Sequence, residues 1–473
     1  MTRATEKRVL FVSYLFPPVG GVGVQRAVKF VKYLPEYGWK SSVLTVDNPS
    51  APLSDESLCR DAPDSTIVCR ARSYEPGYSI KAAVSSGEAE RRGVASTLKR
   101  IGSRAARGLA NIVLQPDAQI LWRPQALRAG LCLLRESPHQ AIIATGPPFS
   151  SLLLGATLSR RSGLPLILDY RDEWGISNAY WENKQQGYLS NRLQRMMQHS
   201  ALRAADVLLA TTPSSAEHLA DQARWAGSQA FSTWIYNGFD SEDFLEAAGQ
   251  RAEPQACCPR DGKFRLTFVG TLWNLNPIGP VVDAVLRLSD EAPALAERLQ
   301  LVFAGRRTPQ QESELDRMNN APCTVTRLPF VSHDEAVSLM QNSDALLLLN
   351  ADRPHTQRII NAKTFEYMAT RRPIFVVAPE GDLWDVVRDL PETRLCRPGA
   401  TGSIAAALAD LLERHRCGIE PVCESWDLAR FERRHLAGEL AALLDELAQD
   451  SKADARPWAT NGPATTVQGG RHV

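Results

Sequence analysis

The chain has no excess of charge of either sign: 54 Lys and Arg nearly cancel 53 Asp and Glu, leaving a formal net charge of +1. That balance excludes the broad basic footprint of a general nucleic-acid binder. C-x-x-C spacing is also absent. The nine cysteines (59, 69, 132, 257, 258, 323, 396, 417 and 423) are odd in number and scattered, with no histidines placed to suggest zinc. Free thiols in a reducing compartment are expected, not a disulfide framework or a metal site. The opening Met1-Thr-Arg-Ala-Thr-Glu-Lys-Arg8 lacks the apolar core and cleavage site of a signal peptide. No apolar run approaches the ~20 residues that span a bilayer. A soluble, cytoplasmic protein is expected.

What is present is enough chain for two cores: 473 residues, 44% hydrophobic and 23% charged. Two domains imply a cleft. Val9-Leu-Phe-Val-Ser-Tyr14 reads as a buried parallel strand, residues 16–23 as a Pro/Gly loop, 25–37 as a helix ending at Gly38, and 42–47 as a second strand. Further strands are expected at 140–145, 165–169 and 206–211, with a helix at 150–162. Periodicity fades into Ala, Gly, Gln and Pro over 246–262, then restarts with strands at 264–270, 299–305, 345–349 and 373–378 and helices near 280–289 and 334–340. The expected fold class is α/β, two Rossmann-like domains facing across a cleft, with a C-terminal helix returning to the N-domain. The expected division is an N-terminal domain over 1–245, a linker over 246–262, a C-terminal domain over 263–425, a helix over 426–450 and a disordered tail over 451–473.

Two segments carry chemistry. Gly20-Gly-Val-Gly-Val-Gln-Arg26 resembles a dinucleotide fingerprint, with Asp47 where a ribose acid would stand, but Arg26 occupies the third glycine position. Glycines here bring backbone N–H groups close to a ligand phosphate or sugar at a helix N-terminus, or simply make a turn. Asn361-Ala-Lys-Thr-Phe-Glu-Tyr-Met-Ala-Thr370 reads as a helix capped by Asn361 beyond the end of a strand. Helical phase puts Phe365, Met368 and Ala369 on a core stripe, and Lys363, Glu366, Tyr367 and Thr370 opposite. Lys363 and Glu366 at i,i+3 suit a surface ion pair; at a strand's C-terminal end they also suit a phosphate and a ribose diol.

Asn361-Ala-Lys-Thr-Phe-Glu-Tyr-Met-Ala-Thr-Arg-Arg-Pro-Ile-Phe375 is similar to the donor-site motif of family 4 glycosyltransferases of the GT-B superfamily. Other pieces follow in that family's order: Phe16-Pro-Pro18 with its glycines, Pro116-Asp117 with Trp122, Thr145-Gly-Pro-Pro148, Asp169-Tyr-Arg-Asp172 with Trp174, Tyr236-Asn-Gly-Phe-Asp240 and Phe268-Val-Gly-Thr271. The resemblance spans about residues 8–448. It implies an N-domain for the acceptor and a C-domain for a nucleotide sugar, with metal-independent transfer, usually retaining, and no cofactor. Carried over by position, Glu366 meets the donor ribose, Lys363 the phosphates, and Gly20, Gly21 and Gly23 the sugar-diphosphate side. Thr364 belongs to the motif, and Gly270 and Thr271 to the first C-domain turn.

The sequence departs from the family at three places. Arg358 stands where many members have a second glutamate; Thr271-Leu-Trp-Asn-Leu-Asn276 replaces their Arg and Lys; and the loop Thr145-Gly-Pro-Pro-Phe149 holds no histidine. Positive charge for the diphosphate then falls to Arg306, Arg358 and Lys363, although Arg306-Arg307 also suits a solvated loop. Asp169, Arg171 and Asp172 are the expected polar contacts for acceptor or sugar, alternatives being helix capping and mutual pairing. His355 is the one histidine expected in a cleft-facing loop. Val94, Leu98, Ile101, Ala105, Leu109 and Ile112 form an apolar stripe beside Arg92, Lys99, Arg100, Arg104 and Arg107. Such a helix suits an anionic membrane surface or a core with a solvated basic side. The expected partners are a nucleotide-sugar donor and a glycan or lipid-linked acceptor, as in surface polysaccharide assembly, with possible peripheral membrane contact through 94–113. Competing readings are a nucleotide-sugar epimerase, a catalytically weak carbohydrate-binding protein and an NAD oxidoreductase.

Overall fold

The computed structural model describes residues 6–50, 54–75, 114–180, 187–244, 262–422 and 426–450. The apolar stripe at 94–113, the linker up to residue 261 and the tail beyond 450 lie outside the described residues.

Two parallel sheets form the two halves. The first is built from β1 (Lys7–Val12), β2 (Trp39–Val46), β3 (Ile67–Ala71), β4 (Ala141–Gly146), β5 (Leu166–Tyr170), β6 (Val207–Ala210) and β7 (Phe231–Trp234), in the order β3-β2-β1-β4-β5-β6-β7. The second uses β8 (Phe264–Val269), β9 (Leu299–Ala304), β10 (Thr324–Leu328), β11 (Ala345–Leu349), β12 (Ile374–Val377) and β13 (Arg394–Cys396), in the order β10-β9-β8-β11-β12-β13. Helices cover both faces of each sheet, so interior strands are buried on both sides and read as unbroken apolar runs. All the interior strands were expected. β3, β7, β10 and β13 were not, and these are the four sheet edges, where exposure interrupts the apolar run.

Strand order reverses between β1 and β4 in one sheet and between β8 and β11 in the other. At such a switch point the following connections leave in opposite directions and open a crevice at the strands' C-terminal ends. The turns after β8 and β9 fit together tightly. Gly305 has φ +125°, and a Cβ there would stand 2.2 Å from the Gly270 carbonyl oxygen. Gly305→Ala is therefore expected to destabilise by on the order of 2 kcal/mol, which calorimetry would register as a melting temperature lower by roughly 2 °C.

The C-terminal helix Arg433–Asp450 returns to the first half, where Leu436, Leu440, Leu444 and Leu447 pack with Val9, Phe11 and Val31. Both crossings between the halves run side by side: the Phe239 N–H donates to the Phe431 carbonyl at 3.1 Å, and the Arg433 N–H to that of Phe239 at 2.8 Å. Asp240 anchors this hinge by accepting from Lys29 (2.6 Å), Lys32 (2.9 Å) and Tyr33 (2.7 Å). Burial opposes its ionisation, but Lys29, Tyr33 and Lys32 prevail and hold it well below the usual carboxylate range. A depressed folded pKa gives stability that is complete above the unfolded value near 4 and is lost as pH falls toward the folded value. Asp240→Asn is thus expected to lower the melting temperature at neutral pH and to flatten its fall below about pH 4, as thermal scans across pH would show.

Candidate active site

The two switch points face each other around a cavity of about 320 Å³ between the domains. The first domain lines it with Arg171, Asp172, Glu173, Ile176 and Ser177 from the turn and helix after β5, and with Thr211 and Ser215 after β6. Trp273, Leu275 and Asn276 after β8, and Asn350 and Arg358 to Asn361 after β11, complete it. Three expected site residues, Arg171, Asp172 and Arg358, meet here. Asp172 is exposed to solvent where it lines the cavity. The enclosing walls raise its pKa, Arg171 opposes that, and Asp169 and Glu173 add to it. It is a carboxyl that could exchange a proton in the cleft.

Arg358 spends part of its guanidinium within the protein. Its Nε donates to Glu173 Oε1 at 2.7 Å and its Nη2 to Oε2 at 2.6 Å, across the domain boundary. Glu173 also accepts from Ser215 Oγ at 2.7 Å. His355 lies at the rim, exposed, its Nδ1 3.3 Å from Arg358 Nη1 and its ring stacked at 6.5 Å on that of His218.

One helical turn beyond the cavity lies the helix Lys363–Ala369. It starts later than expected and Asn361 does not cap it: the Asn361 side chain donates to the Leu349 carbonyl and Asn350 Oδ1, pinning the loop to the end of β11. Lys363 Nζ donates to Glu366 Oε2 at 2.5 Å. Burial opposes the charge on Glu366, but Lys363 and His333 outweigh it and keep the carboxylate ionised below its ordinary range. His333 in turn sits 3.4 Å from Asp243; burial works against its charge, yet Asp243 and Glu366 raise its pKa.

Several expected contacts are placed differently. Asp169 is buried, accepting from Arg26 Nε at 2.9 Å and Thr145 Oγ1 at 2.8 Å, and so belongs to the framework beneath the cavity. The same Arg26 donates to the carbonyls of Ile235 and Tyr236, so its side chain fills the space that a third fingerprint glycine would leave empty. Arg171 donates to the carbonyls of Gly23 and Pro147, tying together the loops after β1 and β4. Thr364 is fully buried, and Tyr367 lies in the core, where its oxygen accepts from the Val269 N–H at 2.8 Å. Neither side chain reaches the surface. Gly20, Gly21, Gly270 and Thr271 are half-buried at the strand ends but do not line the cavity, nor does Gly23. Arg306 is exposed, its guanidinium without a partner among the described residues, whereas Arg307 is bound to Glu312 and two carbonyls.

Glu173 and His333 are absent from the sequence expectations. Glu173 directly follows Asp169-Tyr-Arg-Asp172 and could have been drawn in by that adjacency. His333 follows Ser332, whose capping box with Glu335 is a readable helix start. No sequence signal shows that either meets the segment 358–366. Among the described residues, no group of three or more His, Cys, Asp or Glu is placed to hold a metal ion, and no helix is long and apolar enough to cross a membrane.

Residues 23–230 match the glycosyl transferase 4-like domain, and residues 263–414 match glycosyl transferases group 1. No curated protein sequence matches the chain. Among solved structures, it is similar to Anabaena HepE in complex with UDP-glucose, at 14% identity and a TM-score of 0.53, covering 93% of this chain and 99% of that one. It is also similar to the α,α-trehalose 6-phosphate synthase of Burkholderia multivorans, at 14% identity and a TM-score of 0.57, covering 96% and 100%. A Listeria monocytogenes protein assigned as a UDP-N-acetylglucosamine 2-epimerase aligns at 11% identity with a TM-score of 0.51, covering 96% and 99%. At these identities the likeness is one of fold.

Proposed function

Since the chain belongs to the family 4-like glycosyltransferases of the GT-B superfamily, we propose that it transfers a hexosyl group from a nucleotide sugar to a glycan or lipid-linked acceptor. On this reading the transfer retains anomeric configuration, needs no bound metal or cofactor, and takes place in the cytoplasm, at the inner face of the membrane where the acceptor is lipid-linked, during surface polysaccharide or glycoconjugate assembly. The observation that carries it is the Lys363 and Glu366 pair just beyond β11, with the carboxylate held ionised at the second domain's switch point.

An ionised carboxylate can accept both hydroxyls of a ribose, and the adjacent ammonium is within a side chain's reach of the phosphates that follow. The sugar would then extend toward the cavity, where Asp172 and Arg358 are placed. Charge developing on the departing diphosphate is met there by fixed cations and N–H groups, which need no reorganisation at the moment of transfer. Since Anabaena HepE was solved with UDP-glucose, UDP and UDP-hexoses are the first ligands to try.

A thermal-shift series with nucleoside diphosphates and NAD tests this directly. One diphosphate at a hundredfold excess over its Kd is expected to stabilise by about 2.7 kcal/mol. Stabilisation by NAD alone would end the donor-site assignment. Incubation with the nucleotide sugar then separates transfer, in which diphosphate release depends on acceptor, from epimerisation, in which the nucleotide sugar is converted without one.

A further inference from the structure

We propose that Glu173 is a positioning residue for transfer: from the opposite domain it fixes the guanidinium of Arg358 so that the free edge of that group faces the cavity, and it does so only when the cleft is closed. This rests on the glycosyltransferase reading and adds to it a residue and a link between closure and chemistry.

The geometry is specific. Nε and Nη2 of Arg358 make a side-on, two-point contact with both Glu173 oxygens at 2.7 and 2.6 Å. The side chains retain only 12% and 5% exposure, so this is an enclosed pair and not a surface one. A guanidinium has five N–H groups; with two spent on Glu173, the Nη1/Nη2 edge presents two more, and His355 Nδ1 lies 3.3 Å from Nη1 at its outer side. Arg358 lines the cavity, and its backbone is held as well: its carbonyl accepts from Thr212 Oγ1 of the first domain at 3.0 Å. Next to it, Asp382 of the second domain accepts from Ser214 Oγ at 2.7 Å. All these contacts cross the domain boundary, so parting the domains releases Arg358 at the same time as it opens the cavity.

The pair also explains why an arginine can stand at 358. Unpaired in an enclosed site, its charge would be costly; Glu173 neutralises that charge while leaving donors free for oxygens of the sugar or its diphosphate. The fork is essential to this arrangement, because an ammonium offers neither the planar two-point contact nor the remaining edge.

Glu173→Gln, Arg358→Lys and the exchanged pair Glu173→Arg with Arg358→Glu, each in the full chain, provide the test. With Glu173→Gln, small-angle scattering without ligand is expected to show a larger radius of gyration. The kcat should fall roughly 30-fold, while the Kd for the nucleoside diphosphate stays within about threefold, because Glu366 and Lys363 are untouched. Arg358→Lys should show the same loss of kcat. The exchanged pair should regain the closed scattering profile without regaining kcat, since the free edge then belongs to the wrong domain. If Glu173→Gln leaves scattering and kcat as in the wild type, or lowers only the melting temperature, the proposal is overturned. Should the wild-type protein bind no nucleoside diphosphate and transfer nothing, the functional reading fails, and scattering still decides whether Glu173 holds the cleft closed.

Discussion

Glu366→Gln is expected to abolish stabilisation by the nucleoside diphosphate at concentrations that shift the wild-type protein, with the unliganded melting temperature nearly unchanged. Two hydrogen bonds from a ribose diol to a carboxylate carry together roughly 3 kcal/mol, or about a hundredfold in Kd. The neutral amide keeps the shape of the side chain but loses the charge that strengthens both contacts. Unliganded stability should suffer little: Lys363 and Glu366 are still 19% and 16% exposed, and a partly solvated i,i+3 pair contributes about 1 kcal/mol or less. Isothermal titration with the best diphosphate, beside a melting curve of each unliganded protein, separates the two effects. A Kd within threefold of the wild type would remove Glu366 from the donor site.

The sequence made that residue visible because its signal is local: a short run of defined residue types just past an apolar strand. Helical phase was less reliable over the same stretch. Tyr367 was expected beside Glu366 but is buried, because its hydroxyl finds the Val269 N–H and so satisfies a polar atom within the core. Interior strands such as β1, β4 and β11 were legible because burial on both faces demands an unbroken apolar run, whereas β3, β7, β10 and β13 at the edges carry no such demand.

Several motif residues hold the framework and do not line the cavity. Trp122 donates to the Ala71 carbonyl at 3.0 Å, Trp174 donates to Gln194 at 2.8 Å, and Asp117 accepts from the Ser150 N–H at 3.2 Å. These side chains hold loops at strand ends, which is why they recur in a recognisable order without lining the cavity. Glu173, by contrast, gains its meaning from Arg358, 185 positions away. No periodicity or spacing in the chain encodes a contact that forms only when two domains meet.

The same distinction gives Asp169 a measurable signature. Asp169→Ala is expected to destabilise by roughly 3–5 kcal/mol, because it leaves the Arg26 guanidinium charged and sealed from water at 2% exposure. Thr145 Oγ1 would lose its acceptor at the same time. For a chain of 473 residues, that loss corresponds to a melting temperature lower by roughly 3–5 °C. Binding should be spared: below the new transition, the Kd for the nucleoside diphosphate should match the wild type, since Asp169 touches the framework and not the cavity. A direct contact to acceptor or sugar would produce the opposite pattern, with lost turnover and an unmoved melting temperature. Thr145→Val should be milder, because Arg26 then keeps its carboxylate and only one neutral donor is removed. Scanning calorimetry of both variants, with diphosphate titration on each, distinguishes these cases.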